Sequence, residues 1–313
     1  MSYRVVVADS VDVSALTAIT GDPRFEIVVA TGSELRPALR DAAALIVRSE
    51  TKVDDALLQE APHLRVVARA GVGLDNIDVE AATLRGVGVF NAPDANTLAA
   101  AEMTVALILA LVRKVAAADR ALREGRWDRG AFKGVELSGR TLGLVGAGRI
   151  GKEVAARCRA FGMTVLACDP YLEQCEGIEL CSLEKALAEA DIVSVHVPLN
   201  DETRHLLDAN RIAMMRRGSY LVNVSRGGVV DEAALVEALE SGHLAGAALD
   251  VYENEPPPLS SPLFQAPNLV LTPHLGASTA EAQVRVASEV AESIRNALID
   301  GDLKAAVNAP RRA

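Results

Sequence analysis

Three polar residues, each just past a short apolar run, are of the types that proton and hydride chemistry needs. Arg226 sits in Asn223-Val224-Ser225-Arg226-Gly227-Gly228, Glu255 precedes a proline-rich turn at Pro256, and His274 lies in Thr272-Pro273-His274-Leu275-Gly276. An arginine can hold a carboxylate and polarise the carbonyl beside it, and an imidazole can give or take a proton near neutral pH. A carboxylate on the other ring nitrogen would orient the imidazole and favour its protonated form. Beside a hydride carrier, such a set suits reduction of a 2-oxo acid or the reverse oxidation. Standing alone, His274 reads equally well as a structural loop histidine. His63, His196, His205 and His243 are expected to be structural, with His196 near any cofactor. The five histidines have no metal-ligand spacing, so no metal is expected.

The hydride carrier has its own signature in Leu142 to Gly151, LGLVGAGRIG, which reads as a buried strand, a glycine turn and the start of a helix. Gly146 permits the tight turn, Gly148 lets backbone approach a pyrophosphate, and Gly151 lets helix and strand pack closely. The free N–H groups at the helix start would face the phosphates. Asp169, eighteen residues past Gly151 and at the end of the next apolar run, can take the adenosine ribose hydroxyls. A carboxylate there repels a 2′-phosphate, and Pro170-Tyr171 follows it rather than an arginine. The expected cofactor is therefore NAD rather than NADP.

The elements that must position these groups come as two βα series. Before residue 96, apolar runs at Arg4–Ala8, Phe25–Ala30, Ala44–Val47, Arg65–Ala68 and Gly88–Asn91 alternate with helix-like stretches such as Val13–Ile19, Glu34–Arg40 and Asp54–Glu60. That alternation predicts an open parallel sheet, here without a glycine fingerprint of its own. Arg48 and Arg69 each end an apolar run, on the side where open α/β sheets bind ligands. They read equally as solvated charges or as an anion site. Thr97 is positioned to cap one long Ala/Leu-rich helix running to Arg123, a buried interdomain strut or subunit interface. Trp127, in the loop after it, is expected to be a packing anchor.

From Thr141 six further runs follow: Leu142–Val145, Thr164–Cys168, Ile192–Val197, Tyr220–Val224, Ala245–Ala248 and Leu269–Leu271. An amphipathic helix from Ala280 to Ile299 follows them, ended by Asp300-Gly301. The predicted fold class is α/β, with two doubly wound parallel-sheet domains. A Rossmann NAD-binding domain over 97–285 is inserted in a flavodoxin-like substrate domain made of 1–96 and 286–313.

At 313 residues and a net charge of −10, the chain has ample length for two cores, and its charge argues against a nucleic-acid surface. Half of it is hydrophobic, yet the most apolar stretch, Met103 to Val112, is about half the length a bilayer requires. No membrane partner and no targeting segment are expected. Cys158, Cys168, Cys175 and Cys181 show no CxxC spacing and are expected to be reduced and mostly buried in a cytoplasmic protein.

Taken together, IVRSETKV (46–53), ARAGVGLDNID (68–78), NAPDANT (91–97), VGAGRIG (145–151), NVSRGGVVDE (223–232), AALDVYENEP (247–256) and TPHLGAST (272–279) closely resemble the D-isomer-specific 2-hydroxyacid dehydrogenases over nearly the whole chain. The resemblance implies that Arg226, Glu255 and His274 are catalytic. It implies that Val72, Gly146, Gly148, Arg149, Ile150, Gly151, Asp169, Val197, Ser225, Asp250, His274, Gly276 and Ala277 border NAD. Arg48, Arg69, Asn96 and Arg226 would face the substrate. Within the family the motifs are most similar to the branch that oxidises the phosphorylated 2-hydroxy acid 3-phospho-D-glycerate with NAD, the first step of L-serine synthesis. A reductase of glyoxylate or hydroxypyruvate, another D-2-hydroxyacid dehydrogenase, and an NAD-sensing corepressor-like scaffold are the alternatives. The likeness also implies a homodimer or homotetramer built around the nucleotide domains. Two departures stand out. Ala95 replaces a usual glycine, so that loop is expected to differ slightly. The sequence also stops soon after the closing helix, so serine feedback through an appended regulatory domain is not expected.

Overall fold

The computed structural model describes residues 2–308, which divide into two compact units, 2–96 with 277–308 and Thr97–Gly276. In the first unit, strands β1 (Tyr3–Val7), β2 (Phe25–Val29), β3 (Ala42–Val47), β4 (Val66–Arg69) and β5 (Gly88–Phe90) form one parallel sheet in the order 2-1-3-4-5. The central strand β3 is buried along its whole length, which is why it reads as an unbroken apolar run rather than an alternating one. Helices α1 (Leu35–Leu39), α2 (Asp55–Gln59) and α3 (Val79–Leu84) are short, and Asp54 and Asp78 cap the last two by accepting N–H groups of their first turns. The stretch after Val13 makes only a single 3-10 turn, Val13–Ala15, enough to bury Ala15, Leu16 and Ile19 without the helix predicted there.

The second unit opens with α4 (Thr97–Val112) and α5 (Val115–Arg123). The sequence predicts one helix here, and the chain breaks it at Lys114, which is left-handed at φ 55°. The break has a physical cause. The carbonyl of Val112 accepts the Val135 N–H at 3.0 Å, and Gly134 lies so close that a Cβ would come within 2.5 Å of that oxygen. Thr97 is the first residue of α4 rather than its cap. Trp127 is 79% exposed, so among the described residues it is not the packing anchor expected of it.

Strands β6 (Thr141–Val145), β7 (Thr164–Cys168), β8 (Glu179–Leu180), β9 (Ile192–Val195), β10 (Tyr220–Asn223), β11 (Gly246–Leu249) and β12 (Leu269–Leu271) form a parallel sheet in the order 12-11-10-9-6-7-8. The order reverses at β6, beside β9, which is the topological switch point where open α/β sheets bind their ligands. The very short edge strand β8 has no counterpart among the runs predicted from the sequence. Helices α6 (Arg149–Ala160), α7 (Leu183–Glu189), α8 (Ala209–Met214) and α9 (Glu232–Glu240) connect the strands, and α4 packs against α6 and the β10–β12 side of the sheet. Helix α10 (Ala280–Arg295) then returns to the first unit, burying Val286, Ala287, Val290, Ala291 and Ile294 in its core. The first unit resumes at Ala277, ahead of α10, whose first turn buries Ala282. Of the four free cysteines only Cys158 is fully buried, whereas Cys168, Cys175 and Cys181 are half-buried near the β7–β8 edge, so the burial expected of them is corrected. Among the described residues no helix is long and apolar enough to cross a membrane.

Candidate active site

Strand β6 delivers the chain to Gly146, whose φ of +95° is closed to ordinary side chains, and a Cβ there would meet the His196 carbonyl at 2.8 Å and Val197 at 2.9 Å. At Gly151 a Cβ would lie 2.5 Å from the Gly146 carbonyl, so the first turn of α6 rests directly on the loop. Gly148 differs: a Cβ there would meet nothing within 4 Å. Protein packing therefore requires two of the glycines, and the third opens onto free space at the helix N-terminus, where Arg149 and Ile150 begin α6 without a side-chain cap. Asp169, just past β7, accepts the Ala147 N–H at 2.9 Å through one oxygen and the Tyr171 N–H at 3.0 Å through the other, placing its carboxylate at the rim of the loop. This arrangement fits a pyrophosphate over Gly148 and a ribose at Asp169.

The ends of β10, β11 and β12, on the β9 side of β6, carry the remaining polar set. At the end of β10, the Asn223 side chain accepts the Ser225 N–H at 3.0 Å and hydroxyl at 2.8 Å, and donates to the Arg226 carbonyl at 2.8 Å. These bonds fix the turn that presents Arg226, whose guanidinium donates to the Ser225 carbonyl at 2.8 Å. A Cβ at Gly227 would overlap the Tyr252 carbonyl group, so only glycine lets the segment after β11 lie against this turn. That segment carries Glu255, which accepts the Tyr252 N–H at 3.1 Å through Oε1. Its Oε2 lies 2.6 Å from Nδ1 of His274.

His274 is held by its backbone as well. It is left-handed at φ 53°, and its N–H donates to the Asp250 carbonyl at 2.9 Å. The fully buried Asp250 carboxylate accepts the Thr272 hydroxyl at 2.6 Å and the Leu275 and Gly276 N–H groups at 2.7 Å each. Backbone and side chain of Asp250 thus both organise the loop that carries His274, a role its motif did not disclose. Burial pushes the Glu255 carboxyl upward, but the hydrogen bond and charge of His274, the Tyr252 N–H and the Arg226 charge outweigh it and hold Glu255 below its ordinary value. It is an ionised acceptor at neutral pH.

Arg48, Arg69, Val72, Asn96 and Ala277 belong to the other unit. Arg69 ends β4, and its guanidinium folds over Gly71 into the space where a Cβ would stand. Arg48 follows β3, in a turn gripped by buried Asp9, which accepts the Arg48 N–H at 2.6 Å, and by Asn76, which donates to the Arg48 carbonyl at 2.8 Å. The Val72 carbonyl accepts from Asn91 at 2.6 Å. Among the described residues, Asn96 Oδ1 is buried without a hydrogen-bond partner. Sequence reasoning missed Asn223 and Asp9 as organisers. An Asx residue two before a turn residue is a recognisable signal for Asn223, whereas Asp9 reaches Arg48 across a long stretch of sequence.

A family model described as "D-isomer specific 2-hydroxyacid dehydrogenase, NAD binding domain" matches residues 105–276. The chain belongs to this family. It carries the family's NAD-binding domain, and it is 50% identical over 311 residues to the D-3-phosphoglycerate dehydrogenase of Mycobacterium bovis, covering 97% of this chain and 58% of that protein. The family member described here thus spans little more than half the length of such curated relatives. Among solved structures, the TT0316 protein of Thermus thermophilus is similar with a TM-score of 0.91 and 39% identity, covering 97% of this chain and all of the other. A glyoxylate reductase from Paecilomyes thermophila is similar with a TM-score of 0.87 and 32% identity, covering 98% of each chain.

Proposed function

We propose that this dehydrogenase oxidises 3-phospho-D-glycerate to 3-phosphooxypyruvate with NAD. The observation that carries the reaction type is the 2.6 Å contact between His274 Nδ1 and Glu255, with the Arg226 charge acting on the same carboxylate. With Nδ1 committed, Nε2 is the nitrogen left to take the proton of the C2 hydroxyl. Arg226 holds the C1 carboxylate and steadies charge at the C2 oxygen. NAD, when bound, supplies the hydride acceptor, while Asp169 and the loop at Gly148 orient it. Arg48 and Arg69 take the phosphate, with Asn96 beside the substrate.

The phosphorylated substrate is supported by the two arginines at strand ends of the first unit and by the similarity to D-3-phosphoglycerate dehydrogenases. The similarity to a glyoxylate reductase favours a second reading, an unphosphorylated 2-oxo acid reduced on the same set. A panel of phosphorylated and unphosphorylated D-2-hydroxy acids, assayed with NAD and NADP, separates them. The first reading expects 3-phospho-D-glycerate to have the highest kcat/KM, and a better unphosphorylated substrate overturns it. We further infer a homodimer or homotetramer in the cytoplasm, supported by the exposed Val115, Leu122 and Trp127 of the nucleotide unit and by four free thiols.

A further inference from the structure

We propose that Glu232, the first residue of α9, is a positioning residue for the Glu255–His274 pair, acting through a reciprocal pair of hydrogen bonds with Glu253. The inference rests on the reaction type proposed above. The Glu232 N–H donates to the Glu253 carboxylate at 3.1 Å, and the Glu253 N–H donates to the Glu232 carboxylate at 2.7 Å. Each residue thus grips the other's backbone. Glu253 is two residues before Glu255, whose own carboxylate closes the same turn on the Tyr252 N–H. Fixing the backbone at 253 therefore fixes the direction in which Glu255 leaves it.

Helix capping alone does not account for this clamp. Asp231 already caps α9 by accepting the Ala234 N–H at 3.0 Å. The exchange also brings two carboxylates together at an electrostatic cost. Burial pushes the Glu232 carboxyl above its ordinary value, and the like charges of Glu253, Asp231 and Glu255 add to that. His205 Nε2 lies 3.2 Å from the Glu253 carboxylate and adds a third contact to the pair. His205 is itself held left-handed at φ 48°, its N–H donating to the Gly228 carbonyl at 2.8 Å beside the Arg226 turn. One connected set of bonds therefore joins the Arg226 turn, the α9 N-terminus and the Glu255 turn. Displacement of a catalytic group by about 1 Å can cost on the order of a hundredfold in rate, so a device that fixes this turn acts on kcat.

The test compares Glu232→Ala with Glu232→Gln, whose amide oxygen still accepts the Glu253 N–H. Glu232→Ala should lower kcat about tenfold while both KM values stay within about twofold, and Glu232→Gln should restore kcat to within about threefold of wild type. Nitrogen-edited NMR of the imidazoles gives a readout independent of turnover. The downfield His274 Nδ1–H resonance should weaken in Glu232→Ala and persist in Glu232→Gln. If Glu232→Ala does not fold, Glu232→Asp, too short to reach the Glu253 N–H, should show the same losses. Wild-type kcat and an unchanged resonance in the alanine variant overturn the proposal, as does a glutamine variant as impaired as alanine. If the wild type oxidises no hydroxy acid, the functional reading fails, and the NMR comparison alone decides the role of Glu232.

Discussion

Nδ1 of His274 and Oε2 of Glu255 lie 2.6 Å apart, at the ends of two different strand connections. Because Glu255 is held ionised, Nδ1 is the nitrogen that carries the proton, and the ring presents Nε2 to a reactant. His274→Ala should cut kcat by at least about a thousandfold and leave the Kd for NAD within about threefold, measured by fluorescence titration. Activity surviving that change would remove His274 from the acid–base role. Glu255→Gln keeps a partner for Nδ1 but offers it an amide that can turn either its oxygen or its NH2 to the ring, so the ring is no longer held with Nε2 free. Its kcat should fall at least about tenfold with the Kd for NAD within about threefold, and wild-type kcat in that variant contradicts the assignment.

Two glycines of the fingerprint, Gly151 and Gly148, should respond differently to alanine. At Gly151 a Cβ would lie 2.5 Å from backbone oxygen, so Gly151→Ala should destabilise the fold by roughly 2–3 kcal/mol. At Gly148 the Cβ meets nothing. Gly148→Ala should keep the wild-type Tm within about 2 °C and still weaken NAD binding at least about tenfold, because it fills the space that the proposed function gives to the pyrophosphate. Calorimetry and NAD titration on the two variants check this, and undiminished NAD binding by Gly148→Ala would move the phosphates elsewhere.

Much of this could be read from the residues because parallel strands leave continuous apolar runs and the glycine loop is constrained by close packing. Six of the seven strands of the nucleotide unit were visible for that reason. The two-residue strand β8 is too short to leave a pattern, and the break at Lys114 depends on Val135, a long-range contact that no local propensity encodes. Trp127 misled for a related reason: an aromatic side chain is normally buried, and only the folded chain shows that nothing of its own covers this one. Within the site, the types of Arg226, Glu255 and His274 suggested their chemistry. Asp250, Asn223 and Glu232 work through hydrogen bonds to backbone groups, and that work is invisible until the loops are placed.

Asp169 accepts two backbone N–H groups at the edge of the glycine loop, and the function proposed above sets the adenosine ribose beside this carboxylate. Asp169→Ala should raise KM for NAD by about tenfold and narrow the preference for NAD over NADP, since the repulsion of a 2′-phosphate is gone. Steady-state kinetics with both cofactors measure the ratio. An unchanged ratio removes Asp169 from cofactor discrimination.

His196 lies under the same loop, where its carbonyl contacts Gly146 and its Nε2 is 2.9 Å from the buried Ser194 hydroxyl. Burial pushes the ring down to about 4 from its ordinary 6.5. In that interval the unfolded chain binds a proton that the folded chain refuses, so stability rises with pH there. The contribution is fully present above about pH 6.5 and is lost as pH falls toward 4, with a magnitude on the order of 2–3 kcal/mol. Other groups titrate in the same range, so the useful quantity is the difference between wild type and His196→Gln, which keeps a partner for Ser194 but does not titrate. Urea unfolding at about pH 7 and about pH 5 should show the wild type losing more stability than the variant. Equal losses would mean that the ring is protonated in the folded protein and that the loop does not exclude water from it.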